Sequence, residues 1–387
     1  MLDLDPEVFA GLQPARPLPT DDDAEPLEEL GLCLSGGGYR AMLFHVGALL
    51  RLNEAGMLRG LDRVASVSGG SITAATLGLH WGGLDWHDDV ARNLEALLVD
   101  PIRELARHTI DFSSVLEGAL LPFTSIGERV ADAYRDHLFA EATLQDLPAR
   151  PRFIINATNL ESGALFRFSR RYAADWRVGR IDDPAIGLAT AVAASSAFPP
   201  VLSPFELDLG DAGWKTVRGN DLVSPDYRSK IALSDGGVYD NLGLETVWKR
   251  CRTVLVSDGG GHMSDDDHPA RDWPRHTLRV LGVIDNQVRA LRKRQVVGSY
   301  TAGLRRGAYW GIRSDVGDYG LGDALDAPHE QTMRLAEIPT RLKTLDDTEQ
   351  ERLINWGYAI CDTALRRWVR TDLARPEALP YPTAGVG

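Results

Sequence analysis

Three cysteines, Cys33, Cys251 and Cys361, are too few, too far apart and odd in number to make a disulfide framework or a metal-ligand pattern. A reducing compartment is the default that follows. Lysine is nearly as scarce, supplying five of the 42 basic residues, a bias to which no function attaches. Long apolar runs are missing too: no stretch of eighteen apolar residues occurs, so no membrane-spanning helix is expected. Asp3, Asp5 and Glu7 stand where a secretory leader would need positive charge and an apolar core, so the expectation is a soluble, cytoplasmic protein. Dense positive charge is also lacking. The formal net charge of -13 argues against nucleic acid as a partner and against electrostatic capture by anionic lipid. Any membrane contact, transient and peripheral, would have to be apolar or local.

What is present is ordinary globular composition, 44% apolar and 25% charged, in a chain of 387 residues long enough for one large domain or two modest ones. Two motifs lie one helix apart near its start. Leu32 to Ser35 is a short apolar strand run that breaks into Gly36-Gly37-Gly38, where backbone N–H groups can approach a ligand because no Cβ intervenes. Ala41, Phe44, His45, Ala48, Leu49 and Leu52 then follow at helical spacing, so the glycines lead into a helix N-terminus suited to holding an anion. Val64 to Val67 is a second strand run ending at Ser68, with Gly69 and Gly70 directly behind it. Strand, sharp turn, helix is the pattern of a nucleophile elbow. The usual pattern is Gly-x-Ser-x-Gly; here Ser66 holds the first position, the next smallest polar choice beside a strained nucleophile. The bland alternative is a Ser-Gly-rich turn in any α/β protein.

Along the chain, residues 1 to 27 are rich in Pro, Asp and Glu and read as a loosely held arm. Helical character is expected for Ser71–Leu79, Trp86–Ile110 and Ser125–Leu138, with the apolar segment Leu116–Phe123 as a buried connection in preference to a lid. Phe153–Ala157 and Ala164–Phe168 are expected to pair as a hairpin. Ile186–Ala197, a helix of very small residues ending at Phe198-Pro199-Pro200, is expected to back the elbow. The strand Ile231–Leu233 ends in Ser234-Asp235-Gly236-Gly237, and Thr253–Val256 ends in a near-copy, Ser257-Asp258-Gly259-Gly260-Gly261, so two aspartates compete for one role. Asp285–Val297 is a basic helix, read as a solvated face, and Gly307–Ile312 a strand. Asp346–Arg370 is a long amphipathic helix whose Leu353, Trp356, Ile360, Ala364 and Trp368 are read as core packing.

Taken together, Gly36-Gly37-Gly38-Tyr39-Arg40, Ser66-Val67-Ser68-Gly69-Gly70, Ala194-Ser195-Ser196 to Pro199-Pro200 and Asp235-Gly236-Gly237 resemble, in order and spacing, the patatin-like phospholipases. The resemblance implies a three-layer α/β/α patatin-like fold around a central, mostly parallel sheet, with a catalytic domain over 28–312 and a C-terminal helical segment, 313–387, packed on it. It implies a serine lipid acyl hydrolase of the phospholipase A or lysophospholipase kind, acting on a lipid ester without cofactor or metal. Ser68 would be the nucleophile, Asp235 its sole catalytic partner, and Gly36, Gly37 and Gly38 the oxyanion hole. Asp235 is preferred to Asp258 because it continues as Asp-Gly-Gly-x-x-x-Asn, ending at Asn241. Arg40 would steady the glycine loop or draw in a phosphate head group. The chemistry stands beside the resemblance: fixed backbone donors stabilise the tetrahedral oxyanion of ester hydrolysis, and a carboxylate becomes a competent base once burial raises its pKa.

Three rivals stand against this reading. Gly36 to Ala41 also fits the Gly-x-Gly-x-x-Ala pattern of dinucleotide binding, but the second strand ends in Ser66-Val67-Ser68 without the acid that would hold a ribose. His262, His268 and His276 follow Asp235 in the order of a Ser-Asp-His triad, with His262 the best placed. A binding module that kept the fold without turnover has only Ser66 in its favour.

Overall fold

A computed structural model describes residues 26–110, 124–210, 212–217 and 219–387. Most of the expected N-terminal arm and the segment Leu116–Phe123 lie outside the described residues. In chain order the main elements are β1 (Leu27–Leu34), α1 (Gly38–Glu54), β2 (Arg63–Ser66), α2 (Gly69–His80), α3 (Asp100–Ala106) and α4 (Thr124–Tyr134). Then come β3 (Arg152–Asn159), β4 (Ala164–Phe168), β5 (Tyr172–Asp175), β6 (Gly179–Asp182), α5 (Leu188–Ser195), β7 (Phe205–Asp208) and β8 (Lys230–Asp235). The last are β9 (Cys251–Asp258), α6 (Trp273–Thr301), β10 (Arg306–Gly311) and α7 (Asp347–Trp368). Short helices, Gly237–Asp240, Glu245–Trp248 and His329–Ala336, fill connections between them.

Among the described residues, ten strands form one sheet whose main path is β10-β9-β1-β2-β3-β4-β5-β6. The first five of these run parallel, and β4 to β6 extend the sheet as an antiparallel meander. The parallel strands are apolar on both faces because both faces are covered. Leu32, Leu34, Val64 and Leu255 point into the larger core with α1, α2, α3 and α7. Cys33, Ala65, Val254 and Val256 point into a smaller core with Leu242, Leu244, Val247 and, from α6, Val296. Side chains alternating into two cores on opposite faces make the three-layer α/β/α sandwich expected from the motifs.

Several boundaries differ from the sequence reading for identifiable reasons. β1 begins five residues before Leu32, because Leu27 and Leu30 pair with Cys251 and Thr253 of β9 while the intervening charges find partners, Glu29 with Arg63 and Glu28 with Arg252. Trp86–Ile110 is not one helix. Its start is a two-residue ladder, Trp86–His87 against Val90–Ala91, turned by Asp88 and Asp89 with φ of 48° and 65°, the positive pair that tight hairpins use. The basic helix is longer than expected and starts at Trp273, where the Asp272 side chain accepts from the Arg275 N–H and Pro274 occupies the first turn. α7 is closed at its start by a capping box between Asp346 and Glu349. Its Leu353, Trp356, Ile360 and Ala364 are fully buried, whereas Trp368, expected in the same stripe, is 57% exposed as the last residue of the helix.

α7 packs along α1, and the two backbones touch where each helix carries a glycine. A Cβ on Gly357 would stand 1.9 Å from the Phe44 carbonyl oxygen, and one on Gly47 1.9 Å from that of Ile354. Since α1 follows the glycine loop directly, this crossing fixes the loop from behind. Gly357→Ala is therefore expected to destabilise the protein by at least about 2 kcal/mol, read as a fall in thermal unfolding midpoint. Gly298→Ala in α6, where a Cβ would meet nothing within 4 Å, should leave the midpoint unchanged or raise it. Equal midpoints for the two variants would remove the crossing from this account.

Candidate active site

The site is built on one edge of β3. β2 pairs in parallel with the first half of that edge, from Arg63 opposite Arg152 to Ser66 opposite Ile155. β8 comes the other way along the second half, with Leu233 opposite Asn159 and Asp235 opposite Ala157. Two strands thus end nose to nose, with only Asn156 between their last paired residues. Asn156 joins them: its Nδ2 donates to the Ser66 carbonyl at 3.0 Å, and its own carbonyl lies where a Cβ on Gly236 would stand, 2.3 Å away. The turns that leave the strands carry Ser68 and Asp235 into the same space.

Ser68 immediately precedes α2 and has φ 52° and ψ -121°, a conformation that a side chain adopts only under strain, typically about 1–3 kcal/mol. The strain is held by neighbours. The Ser68 N–H donates to Ser195 Oγ at 2.9 Å, and that hydroxyl donates to the Asn156 carbonyl at 2.7 Å. Ser71 lies 2.9 Å from the Ser195 hydroxyl and 3.1 Å from that of Ser66, so the serine in place of the elbow's first glycine is absorbed by a buried chain of hydroxyls. α5 backs the elbow through this same Ser195. Behind Ser68 the glycine loop comes within backbone contact: a Cβ on Gly69 would stand 2.1 Å from the Gly38 carbonyl oxygen.

Within the loop, Gly37 and Gly38 have φ of 148° and 62°, which a side chain would strain. Gly36 donates its N–H to the Asn241 carbonyl at 3.1 Å. The N–H groups of Gly37 and Gly38 have no acceptor among the described residues, so two of the three expected donors are open. Arg40, 2% exposed, is held by protein acceptors: its guanidinium donates to the Gly259 carbonyl at 3.2 Å, to Thr340 Oγ1 at 2.9 Å and to the Ile338 carbonyl. Burial lowers its pKa to about 10, still far above neutrality.

His45, noted in the sequence only as part of an apolar helical face, is a further member of the site's frame. Trp310 Nε1–H donates to Ser257 Oγ at 3.0 Å, and the Ser257 hydroxyl lies 2.8 Å from His45 Nδ1. His45 Nε2 is 2.9 Å from the Ser35 carbonyl, which can only accept, so the ring is neutral with its proton on Nε2. Burial lowers its pKa to about 4, consistent with that form. Asn241 is the other residue whose role sequence spacing alone did not give. Its Oδ1 lies 2.5 Å from the position of a Cβ on Gly36 and 2.6 Å from one on Gly237, wedged between the two glycine turns.

The two competing aspartates sit in opposite electrostatic settings. Asp235 is buried, and loss of water pushes its pKa up to about 6, against the opposing pull of hydrogen bonds from the Gly237 N–H, at 2.7 Å, and from the Ser68 hydroxyl. Asp258 is also buried, but Lys293 Nζ lies 2.7 Å away, Arg289 3.7 Å away, and the Tyr309 hydroxyl donates to it at 2.7 Å. These cations outweigh burial and hold its pKa well below the usual carboxylate range. Asp258 is thus a structural anion, and the basic helix read as a solvated face supplies its counter-charges. His262 and His268 are exposed and hydrogen-bond to neither Ser68 nor Asp235. Among the described residues no cluster of three or more His, Cys, Asp or Glu could hold a metal ion.

The site thus combines two converging strand ends, a strained serine and a glycine turn beside it. The model of the patatin-like phospholipases matches residues 32–248, more than half of the chain, and the protein belongs to that family. Among solved structures it is similar to the human GIVD cytosolic phospholipase A2, at 12% identity and a TM-score of 0.54, over 87% of this chain and 58% of that one. The same human enzyme in complex with methyl γ-linolenyl fluorophosphonate matches at 16% identity and a TM-score of 0.49, over 87% of this chain and 57% of that one. VipD from Legionella pneumophila matches at 14% identity and a TM-score of 0.34, over 87% and 66%. The chain therefore spans a little over half the length of the human enzyme, and the likeness shows the fold. No curated protein matches it by sequence.

A pKa raised in the folded state makes Asp235 a liability to stability above its unfolded value. The folded protein holds this proton until about pH 6 while the unfolded chain releases it near 3.8, so stability declines by about 3 kcal/mol as pH rises across that window. Asp235→Asn should accordingly raise the thermal midpoint at pH 8 and leave it nearly unchanged at pH 4. A midpoint that falls at pH 8 in the folded variant would contradict the assigned burial.

Proposed function

We propose that the protein is a serine lipid acyl hydrolase working through a Ser68–Asp235 dyad. The observation that carries this reading is the pairing of a strained, partner-held Ser68 with a desolvated carboxylate whose pKa stands near 6. Ionised Asp235 accepts the Ser68 hydroxyl proton as Oγ attacks the ester carbonyl carbon. The carbonyl oxygen becomes an oxyanion and takes hydrogen bonds from the Gly37 and Gly38 N–H groups, with Gly36 serving as the loop's tether to Asn241. Collapse of the tetrahedral intermediate expels the alcohol, which leaves with the proton from Asp235, and the acyl group stays on Ser68. Water then attacks the acyl-serine, Asp235 taking its proton, and the fatty acid departs as Ser68 recovers its own.

Arg40 is assigned to holding the loop. Its donors are spent on the Gly259 and Ile338 carbonyls and on Thr340, and a head group would have to break those bonds. Membership of a phospholipase family supports a lipid or phospholipid ester as substrate, met at a membrane surface by a protein free in the cytoplasm. Among the described residues no helix is long and apolar enough to cross a membrane. The dinucleotide reading still lacks a ribose-binding acid at the end of β2, and every proton in the scheme is moved by Ser68 and Asp235.

Two measurements on one water-soluble short-chain ester test the proposal. Ser68→Ala and Asp235→Asn should each lose at least about a thousandfold in kcat, whereas Asp258→Asn and His262→Ala, if folded, should keep most of it. In the intact enzyme kcat/KM should rise with pH through about 6 and level off above, since the base acts only when ionised. A folded His262→Ala with the large loss would replace the dyad by a triad. Absence of any turnover in the parent protein would favour a binding module.

A further inference from the structure

A cavity of about 120 Å³ opens at the carboxyl ends of β9 and β10, where Asp258 pairs with Gly311. It lies at the same end of the sheet as Ser68, with β1 between β2 and β9. Crevices beyond the carboxyl ends of parallel strands are where open α/β sheets take their ligands. Asp258, Gly260, Lys293, Tyr309 and Arg313 are in the lining, and the volume holds several water-sized groups, enough for one small tetrahedral anion. The cavity adjoins the turn that grips the glycine loop: Arg289 donates to the Gly261 carbonyl and Arg40 to that of Gly259.

The charges around this cavity do not balance. Asp258 is fully engaged: the Gly260 N–H donates to one carboxylate oxygen at 3.0 Å, and the Tyr309 hydroxyl and Lys293 Nζ meet the other at 2.7 Å each. The cations are not. Lys293 bonds to Asp258 alone among the described residues, which leaves two of an ammonium's three donors. Arg289, 3.7 Å from Asp258, has a buried Nε with no hydrogen-bond partner among the described residues. Arg313 is partly buried, yet it forms no hydrogen bond or ion pair with any described residue. Arg289 and Arg313 both stand near enough to Arg40 to add repulsion to the burial that lowers its pKa. Asp285 also feels the charge of Arg289 but makes no ion pair with it. Four cations, Arg40, Arg289, Lys293 and Arg313, thus face two carboxylates, Asp258 and Asp285, in a chain whose formal net charge is -13. Partly buried cations in surplus cost free energy that a bound anion offsets.

We propose that this cavity binds a phosphate group as its dianion, at a site separate from Ser68 and the glycine loop. The surplus of positive charge matches a dianion, and a carboxylate would satisfy half of it. A guanidinium fork from the exit of β10 and an ammonium from α6 suit a tetrahedral anion, whose oxygens lie in different planes. A metal ion is the poorer occupant, because both oxygens of Asp258 are taken and cations stand beside them. The same phosphate chemistry arrives on a lipid head group or as a free phosphate, and the two sources are separable by experiment.

The test is binding of inorganic phosphate to the full chain at pH 8, by titration calorimetry and thermal midpoint, against acetate and chloride at matched ionic strength. The parent should bind phosphate with a rise in midpoint, and acetate at least about tenfold more weakly. Arg313→Ala should lose at least about tenfold in phosphate affinity, while its midpoint in chloride equals or exceeds the parent's because the removed guanidinium pairs with no described residue. Arg313→Lys should regain part of the affinity, and Arg294→Ala, exposed on α6, should keep all of it. No phosphate binding by the parent, equal affinity in Arg313→Ala, an equal loss in Arg294→Ala, or acetate bound as tightly as phosphate overturns the proposal. The source is read by titrating Ser68→Ala with dihexanoyl phosphatidic acid. Binding at least about tenfold tighter than that of inorganic phosphate, and weakened by adding Arg313→Ala, assigns the site to a lipid head group; any other result assigns it to a free phosphate. None of these readings uses turnover, so the site stands or falls apart from the hydrolase reading.

Discussion

Two strands ending nose to nose on one edge of β3 set the geometry on which everything else depends. Because β2 and β8 share that edge from opposite directions, the residues just past their ends have one place to go, and Ser68 and Asp235 meet there. Neither side chain has to be held by a flexible loop of its own.

That geometry stores free energy in two forms. The elbow keeps Ser68 in a strained conformation at about 1–3 kcal/mol, and burial of the Asp235 carboxylate adds about 3 kcal/mol at neutral pH. Their sum is a large part of the 5–15 kcal/mol by which a domain is typically stable. The surroundings offset it with contacts that allow no slack. Ser195 holds the elbow N–H, Asn156 ties both strand ends, His45, itself bonded to Ser257, holds the Ser35 carbonyl, and the α1–α7 crossing at Gly47 and Gly357 backs the glycine loop. Asp258 shows the same Asp-Gly-Gly turn with cations beside it: Lys293 and Arg289 hold its carboxyl ionised.

The sheet and the order of the site motifs were legible because they rest on local signals, apolar strand runs that end in glycine and serine. Elements misjudged from sequence were governed by distant partners. β1 is longer because β9 pairs with its first residues, and α6 is longer because a cap at Asp272, outside the apolar pattern, starts it. Motif length set Asp235 apart from Asp258, but the contrast in their surroundings, Lys293 and Arg289 beside Asp258 and no cation paired with Asp235 among the described residues, is a tertiary fact. His45 and Asn156 were illegible for the same reason, since a buried histidine on an apolar helix face gives no sign of what it bonds. The basic stretch of α6 read as solvated, while half of it neutralises Asp258 and the other side is apolar and bare.

The most direct test of the central claim, that strand convergence makes Ser68 a nucleophile activated by Asp235, is reaction with a fluorophosphonate probe followed by peptide mapping. The account predicts one label per chain, on Ser68, formed more slowly below about pH 6 and lost in Asp235→Asn but retained in Asp258→Asn. A label on Ser66 or Ser71, or labelling of Ser68 that survives Asp235→Asn undiminished in a folded protein, would contradict it.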